Sequence, residues 1–384
     1  VLGCVYADVT DESTYGEQNT TGSKSDDTKK PVGLVATNYG TIQNLKLEAV
    51  QVTSPGDYVG TFAGITVCGT DADGTATGVL KNLEVVCKNP NDENASYVKG
   101  SSYVGGIVGK LEGTEKDGKA TKVEWSKLVN AAKVTGKAYV GGIVGELRTD
   151  AARTSSIMLS ECENYGAVYA VLKQSDAADA AKKAECRFIG GIVGLSANLY
   201  GAKHPEAQNC ITIKDCVSTP IYGDDDAKQF LGANNGEAFA NYGNTIVGNY
   251  VGGIAGYSYY STLEHVRGAK KSQDDVQQTG YVFGDSYVGG ITGYYVGTQP
   301  LSGQDAEGNA GRNENYVIGC SYVGGITGAS ADIDEEKTRN ASGVANAAEA
   351  DILTVIEKSQ KVQTVSDETG KTTVENWNNA GVVY

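Results

Sequence analysis

The chain has 384 residues, 51 of them glycine and 6 proline, and a formal charge of 32 − 47 = −15. Glycine at about twice its usual ~7 % share, without a G-X-Y period, excludes collagen, and an acidic chain with no Lys/Arg stripe excludes a nucleic-acid partner. No apolar run approaches the ~20 residues needed to cross a bilayer, so no membrane insertion is expected within this chain.

Residues 1–6 (VLGCVY) match residues 317–322 (VIGCSY), which reads as a longer repeat array cut within a repeat; a lipid-modified Cys4 is the rival reading. Residues 7–30 are polar and almost free of apolar side chains, the composition of a flexible insertion. From residue 58 a glycine-rich apolar heptad recurs in seven places. It reads YVGTFAG from Tyr58, YVGGIVG from Tyr103 and Tyr139, FIGGIVG from Phe188, YVGGIAG from Tyr250, and YVGGITG from Tyr287 and Tyr322. The starts lie 45, 36, 49, 62, 37 and 35 residues apart, so a basal unit of about 35 residues is lengthened by insertions, as in stacked structural repeats. A second element, N-x-small-x-V-x-G, precedes the heptad: NASYVKG from Asn94, NAAKVTG from Asn130, QTGYVFG from Gln278 and NENYVIG from Asn313. A third lies between heptads, as VEWSKLVN from Val123, IMLSECEN from Ile157 and ITIKDCVS from Ile211, alternating with the period of a half-buried strand. Residues 33–48 (GLVATNYGTIQNLKLE) form a degenerate further copy. Residues 176–183 and 345–361 read as short helical insertions; in the second, Ala348, Ile352 and Ile356 share one face that would cover a flank. Residues 195–249, with Tyr200, Tyr222, Phe230 and Tyr242, read as a long insertion from which a binding feature would project. Residues 378–384 (NNAGVVY) restart the second element.

Three short β segments per unit, separated by Gly, Asn and Asp turns, predict an all-β chain: one continuous parallel β-solenoid over residues 1–384 with about three strands per coil. No amphipathic helix follows each strand, which argues against a Rossmann-like sheet. The heptad glycines are expected at tight bends or close backbone approaches. Parity places the aromatic and the isoleucine of each heptad on one face, with Tyr58, Tyr103, Tyr139, Phe188, Tyr250, Tyr287 and Tyr322 stacked as a structural ladder. The sixth position, Val108, Val144, Val193, Ala255, Thr292 and Thr327, tolerates a hydroxyl and is expected to face outward.

These heptads resemble the GLUG motif, a repeat of bacterial secreted and surface proteins that also stands beside the catalytic module of some immunoglobulin A peptidases. The resemblance covers most of the chain and implies a cell-surface or secreted, adhesin-like or stalk-like region. It carries no activity, because the motif is a stacking device.

Chemistry-bearing residues are few. Cys162 and Cys216 share the slot of Leu128, and Cys4, Cys186 and Cys320 stand two residues before a heptad aromatic, so both sets read as core ladders. Cys68 and Cys87, flanking GTDADGTATG, are the pair best placed for a disulfide, followed by Cys210 with Cys216. Asp71 with Asp73, and Asp224, Asp225 and Asp226, sit in turns where carboxylates could gather calcium; neither reproduces a complete loop signature, and no cofactor is expected. H-E-x-x-H and G-x-S-x-G are both missing, which argues against an enzyme; a polysaccharide-cleaving β-helix, drawing its residues from successive coils, is the alternative. The tyrosines after two heptads, Tyr257, Tyr259 and Tyr260 in one and Tyr294 and Tyr295 in the next, share a register. They form the candidate surface for a host protein or glycan, against the plainer reading of an aromatic ladder within the wall.

Overall fold

A computed structural model describes residues 30–71, 73–87, 96–113, 122–149, 156–170, 185–199, 210–219, 248–268, 271–273, 276–278, 281–296, 301–302, 311–319, 321–331, 374–375 and 377–379. The described residues are nearly all β, and their sheets are parallel apart from two short antiparallel hairpins. The expected insertion at 7–30, apart from Lys30, and the expected helices at 176–183 and 345–361 lie outside these residues. The insertion expected at 195–249 is narrower: residues 195–198 end a strand, and Ile211–Lys214 and Val217–Ser218 are strands of a second sheet.

Each repeat returns to the same sheets in the same order. The first sheet stacks Val35–Asn38, Ala63–Thr70, Val108–Gly113, Val144–Thr149, Val193–Asn198, Ala255–Tyr259, Thr292–Val296 and Thr327–Ala331 in chain order, all parallel and without slips in register. The third sequence element forms the second sheet, in which Val123 pairs with Ile157 and Ile157 with Ile211. The second element forms further parallel pairs along Val52, Val98, Val134 and Val168, and between Val282 and Val317. The opening residues of the heptad make the remaining sheet, Val104 to Val140, Ile189, Val251, Val288 and Val323.

The heptad therefore supplies two strands, not one, and a repeat places a strand in each of four sheets where three were expected. Its glycines make the corner. A Cβ on Gly142 would lie 2.1 Å from the carbonyl oxygen of Gly191, and one on Gly141 would lie 1.9 Å from that of Val144, so no larger residue fits. The bend also breaks the two-residue alternation, and this overturns two expectations. The isoleucines Ile107, Ile143, Ile192, Ile254 and Ile291 are fully buried in the interior core, whereas the rings join a separate cluster. Position six points inward: Val108, Val144 and Val193 lie in the core, and Ala255 and Thr292 are fully buried. The Thr292 hydroxyl is accommodated there by donating to the Tyr294 carbonyl at 3.1 Å.

All seven heptad aromatics have a left-handed backbone, with φ between 52° and 60°. That conformation costs an L residue about 1–2 kcal/mol, whereas burying a ring of ~150–250 Å² contributes about 4–6 kcal/mol at ~25 cal/mol per Å². Burial outweighs strain for every ring that is covered. The rings stack in chain order at centroid separations of 4.7, 4.3, 5.1, 5.2, 4.8 and 4.6 Å, a continuous column from Tyr58 to Tyr322. In the degenerate first copy Val32 bridges to Val59, which puts Pro31 in the ring slot.

The Asn that opens the second element has a comparable structural reason. The Asn130 side chain donates to the Ala132 carbonyl at 2.9 Å and accepts from the Ala132 amide at 3.0 Å, and it donates to the Asn164 side chain at 2.9 Å. Asn164 repeats both local bonds at Gly166, and Asn313 repeats them at Asn315. All three asparagines are fully buried, so each satisfies the backbone of its own corner. Leu45, Leu83, Leu128, Cys162, Cys216 and Val266 share one register row, which confirms the cysteines as occupants of a leucine slot. Replacing Asn164 by Ala strands the backbone groups of Gly166 and the Asn130 amide, and should cost about 2–4 kcal/mol in urea unfolding. Lys127→Ala, on the exposed surface, should change stability by no more than about 0.5 kcal/mol.

Candidate binding flank

Beyond position six, the outward row of the first sheet reads Ile65, Lys110, Glu146, Leu195, Tyr257, Tyr294 and Ala329 in register. Over its later half lie the column rings. Tyr250 meets Tyr257 edge-on at 5.4 Å, Tyr287 meets Tyr294 at 5.3 Å, and Tyr257 and Tyr294 stack on each other at 5.2 Å with 7° between planes. The two tyrosine runs therefore do lie side by side, as their common register requires.

They do not form an exposed surface. Tyr257, Tyr259, Tyr260, Tyr294 and Tyr295 are 0, 1, 0, 7 and 1 % exposed, and Tyr295 belongs to the interior core. The expectation of a ligand-facing tyrosine patch is corrected: Tyr257 and Tyr294 lie beneath the ring column, Tyr259 and Tyr260 are buried in the same cluster, and Tyr295 faces the interior core. Burial pushes the Tyr294 phenol well above its ordinary range, with the neighbouring phenols of Tyr287, Tyr250 and Tyr322 adding to the shift. Among the described residues the most exposed rings are Tyr39 and Tyr322, at 64 and 61 %.

Toward the other end the same outward row is charged. Lys110, 4 % exposed, stands 3.3 Å from Glu112 and 3.7 Å from Glu146, with its ammonium 5.8 Å from the centre of the Tyr58 ring. The ion pair links adjacent rungs, with the Lys110 ammonium over the Tyr58 ring and the Glu112 carboxylate partly exposed.

A polar corner was missed from sequence. Asn44, Asn82, Lys127, Glu161, Asp215 and His265 occupy one row of the second sheet, and all have φ between 49° and 56°. Adjacent members pair: Asn82 donates to Asn44 at 2.8 Å, Lys127 meets Glu161 at 3.7 Å, and His265 meets Asp215 at 3.1 Å. Lys46 with Glu84 and Lys214 with Glu264 flank the row at 3.0 and 3.8 Å. After the two asparagines of the first rungs the residue type changes at every rung, so the letters do not reveal the slot and only the strand register exposes it.

The remaining candidates divide. The Asp71 carboxylate accepts from the amides of Asp73 and Thr75 at 3.0 and 2.8 Å, closing a hairpin between Gly69–Thr70 and Ala76–Thr77. Asp224, Asp225 and Asp226 lie outside the described residues. Among the described residues no three His, Cys, Asp or Glu side chains come together to hold a metal. Cys68 and Cys87 stand as thiols and not as the expected disulfide, and so do Cys210 and Cys216. Cys68 is on a first-sheet strand while Cys87 follows Val79–Val86 of the second sheet, so the loop between them does not bring them together. Among the described residues no helix is long and apolar enough to cross a membrane. Comparison with family models, curated proteins and solved structures finds no match.

Burial also makes stability depend on pH on the alkaline side. It raises the Cys186 thiol from 9.0 to about 11. The Tyr165 phenol rises from 10.0 to about 12 through burial first and then the hydrogen bond and charge of Glu163. The folded chain thus holds protons that the unfolded chain has already lost, so their stabilisation is complete below the unfolded values and declines as pH rises toward the folded ones. Thermal melts should show the melting temperature falling between about pH 9 and 12, and the fall should be shallower for Tyr165→Phe.

Proposed function

We propose that the chain is a stretch of parallel β-solenoid of the GLUG-repeat kind, acting outside a bacterial cell as the stalk or adhesive region of a surface protein and carrying no catalysis of its own. The observation that carries this reading is the in-register column of seven aromatic rings from Tyr58 to Tyr322. A column of that kind makes a unit that extends by addition, and the side chains most able to do chemistry are engaged in holding one rung to the next. Eight rungs at ~4.8 Å give a stacked length on the order of 40 Å, enough to contribute to a spacer. Recognition of a host protein or glycan then falls on the exposed polar corner, where Lys127, Glu161 and Asp215 present both charge signs along one line, flanked by Lys214 and Glu264.

The test is a panel of polysaccharides and host glycoproteins, assayed in parallel for binding and for new reducing ends or unsaturated products. The adhesive reading expects saturable binding to at least one member, no turnover, and affinity reduced at least tenfold by combined Lys127→Ala and Asp215→Ala. Turnover of any polysaccharide would favour a β-helix enzyme and overturn the proposal. Complete absence of binding would leave the stalk and remove the adhesive role.

A further inference from the structure

We infer that Lys110 and Glu146 are the site of a covalent cross-link, an amide formed between the Lys110 amine and the Glu146 carboxyl group with loss of water, which joins two successive rungs. The inference adds a modification site to the fold and holds whether or not the chain binds a ligand.

The two charges stand in a row that is otherwise apolar or aromatic, shared with Ile65, Leu195, Tyr257, Tyr294 and Ala329. Lys110 and Glu146 follow Tyr103 and Tyr139 by seven residues, as Tyr257 and Tyr294 follow Tyr250 and Tyr287, and those later pairs are in ring contact. Both charged side chains are buried in the equivalent places, with the Lys110 ammonium 5.8 Å from the centre of the Tyr58 ring. A buried ion pair is often no more stabilising than apolar side chains of the same volume, because its attraction must first offset the loss of hydration. Stability alone therefore does not account for a charged pair in this row.

Geometry and surroundings fit a condensation. Lys110 and Glu146 are directly opposite on adjacent parallel strands, with the ammonium nitrogen 3.7 Å from a Glu146 carboxylate oxygen. Glu112, two residues along the Lys110 strand, brings a second carboxylate to 3.3 Å from the same nitrogen. The two carboxylates differ in environment: Glu146 is sealed in, whereas the Glu112 side chain is 33 % exposed and stands opposite Arg148. Glu112 thus keeps its charge and serves as the base, and Glu146 is the carboxyl group that gains most by becoming neutral.

The step balances without a co-reactant. A proton passes from the Lys110 ammonium to the Glu146 carboxylate, and burial favours the resulting amine and carboxylic acid over the ion pair. The amine nitrogen attacks the Glu146 Cδ, and a C–N bond forms. Glu112 takes a second proton from the nitrogen and passes it to the Glu146 hydroxyl, which leaves as water when its C–O bond breaks. Glu112 ends as the carboxylate it was, and the amide nitrogen keeps one hydrogen. The partly open Glu112 side gives the water a way out, while burial of the new amide hinders its hydrolysis.

Intact mass spectrometry of the denatured 384-residue chain tests the bond. The parent chain should be lighter than its sequence by one water, and trypsin should leave residues 100–116, uncut after Lys110, joined to residues 138–148. Lys110→Arg and Glu112→Gln, shown to be folded by circular dichroism, should each have the full mass of their sequence. A parent chain at full mass overturns the inference, whatever the variants do. So does a loss of water that maps to other peptides or persists in Lys110→Arg. If Glu112→Gln cross-links as fast and as fully as the parent, the assignment of Glu112 as the base is overturned. Ligand binding plays no part in these masses, so a negative result here leaves the proposed function standing.

Discussion

Parallel strands stacked without slips in register impose one constraint on everything else: each side chain meets the residue in the same slot one rung away, at the ~4.8 Å spacing of neighbouring strands. A slot is therefore viable only if its occupant tolerates a close copy of itself. Aromatic rings do, because offset stacking is favourable at that separation. Asparagine does, because its amide donates to the next amide and still closes its own corner, as Asn130 does with Asn164 and Ala132. Aliphatic side chains and thiols do by simple packing, as in the row from Leu83 through Cys216. Opposite charges do, as in Lys110 beside Glu146 and Lys127 beside Glu161, whereas the like-charged neighbours Glu161 with Asp215 and Arg267 with Arg312 stand at exposed positions.

The same constraint explains why strain is tolerated so regularly. Two columns of non-glycine residues adopt a left-handed backbone, one of rings and one of polar side chains on the exposed corner. The ring column recovers its strain through burial and stacking. The polar corner has no such gain, and its residue types turn over freely, from Asn to Lys, Glu, Asp and His. A position that keeps an unfavourable backbone while changing its side chain is held by the turn itself. The surface it presents can then vary without disturbing the fold.

How much of this was legible in the letters depended on whether a slot repeats its residue. The heptads, the second element and the third element were all readable, and their strands pair as the spacing implied. Cys162 and Cys216 were placed correctly for the same reason, since both match Leu128 in register. The side of the wall that each residue faces was not readable. Strict alternation put the ring with the isoleucine and turned position six outward, and the corner at the paired glycines reversed both. The tyrosines after the heptads fell to the same ambiguity: register told that Tyr257 and Tyr294 are neighbours, but not that Tyr250 and Tyr287 lie over them.

What the amino-acid order determined by itself is periodicity: which residues recur, how far apart, and hence which strands become neighbours, because equal slots in successive repeats must meet when the repeats stack. What only the tertiary structure decided is orientation and exposure, namely which slots point into the core, that the flank tyrosines are covered, and that Asn44 through His265 line an open corner. The physical reason is that a period counts residues along the chain. The direction of a side chain depends on backbone dihedrals at a few bends, and those are settled by what packs around them.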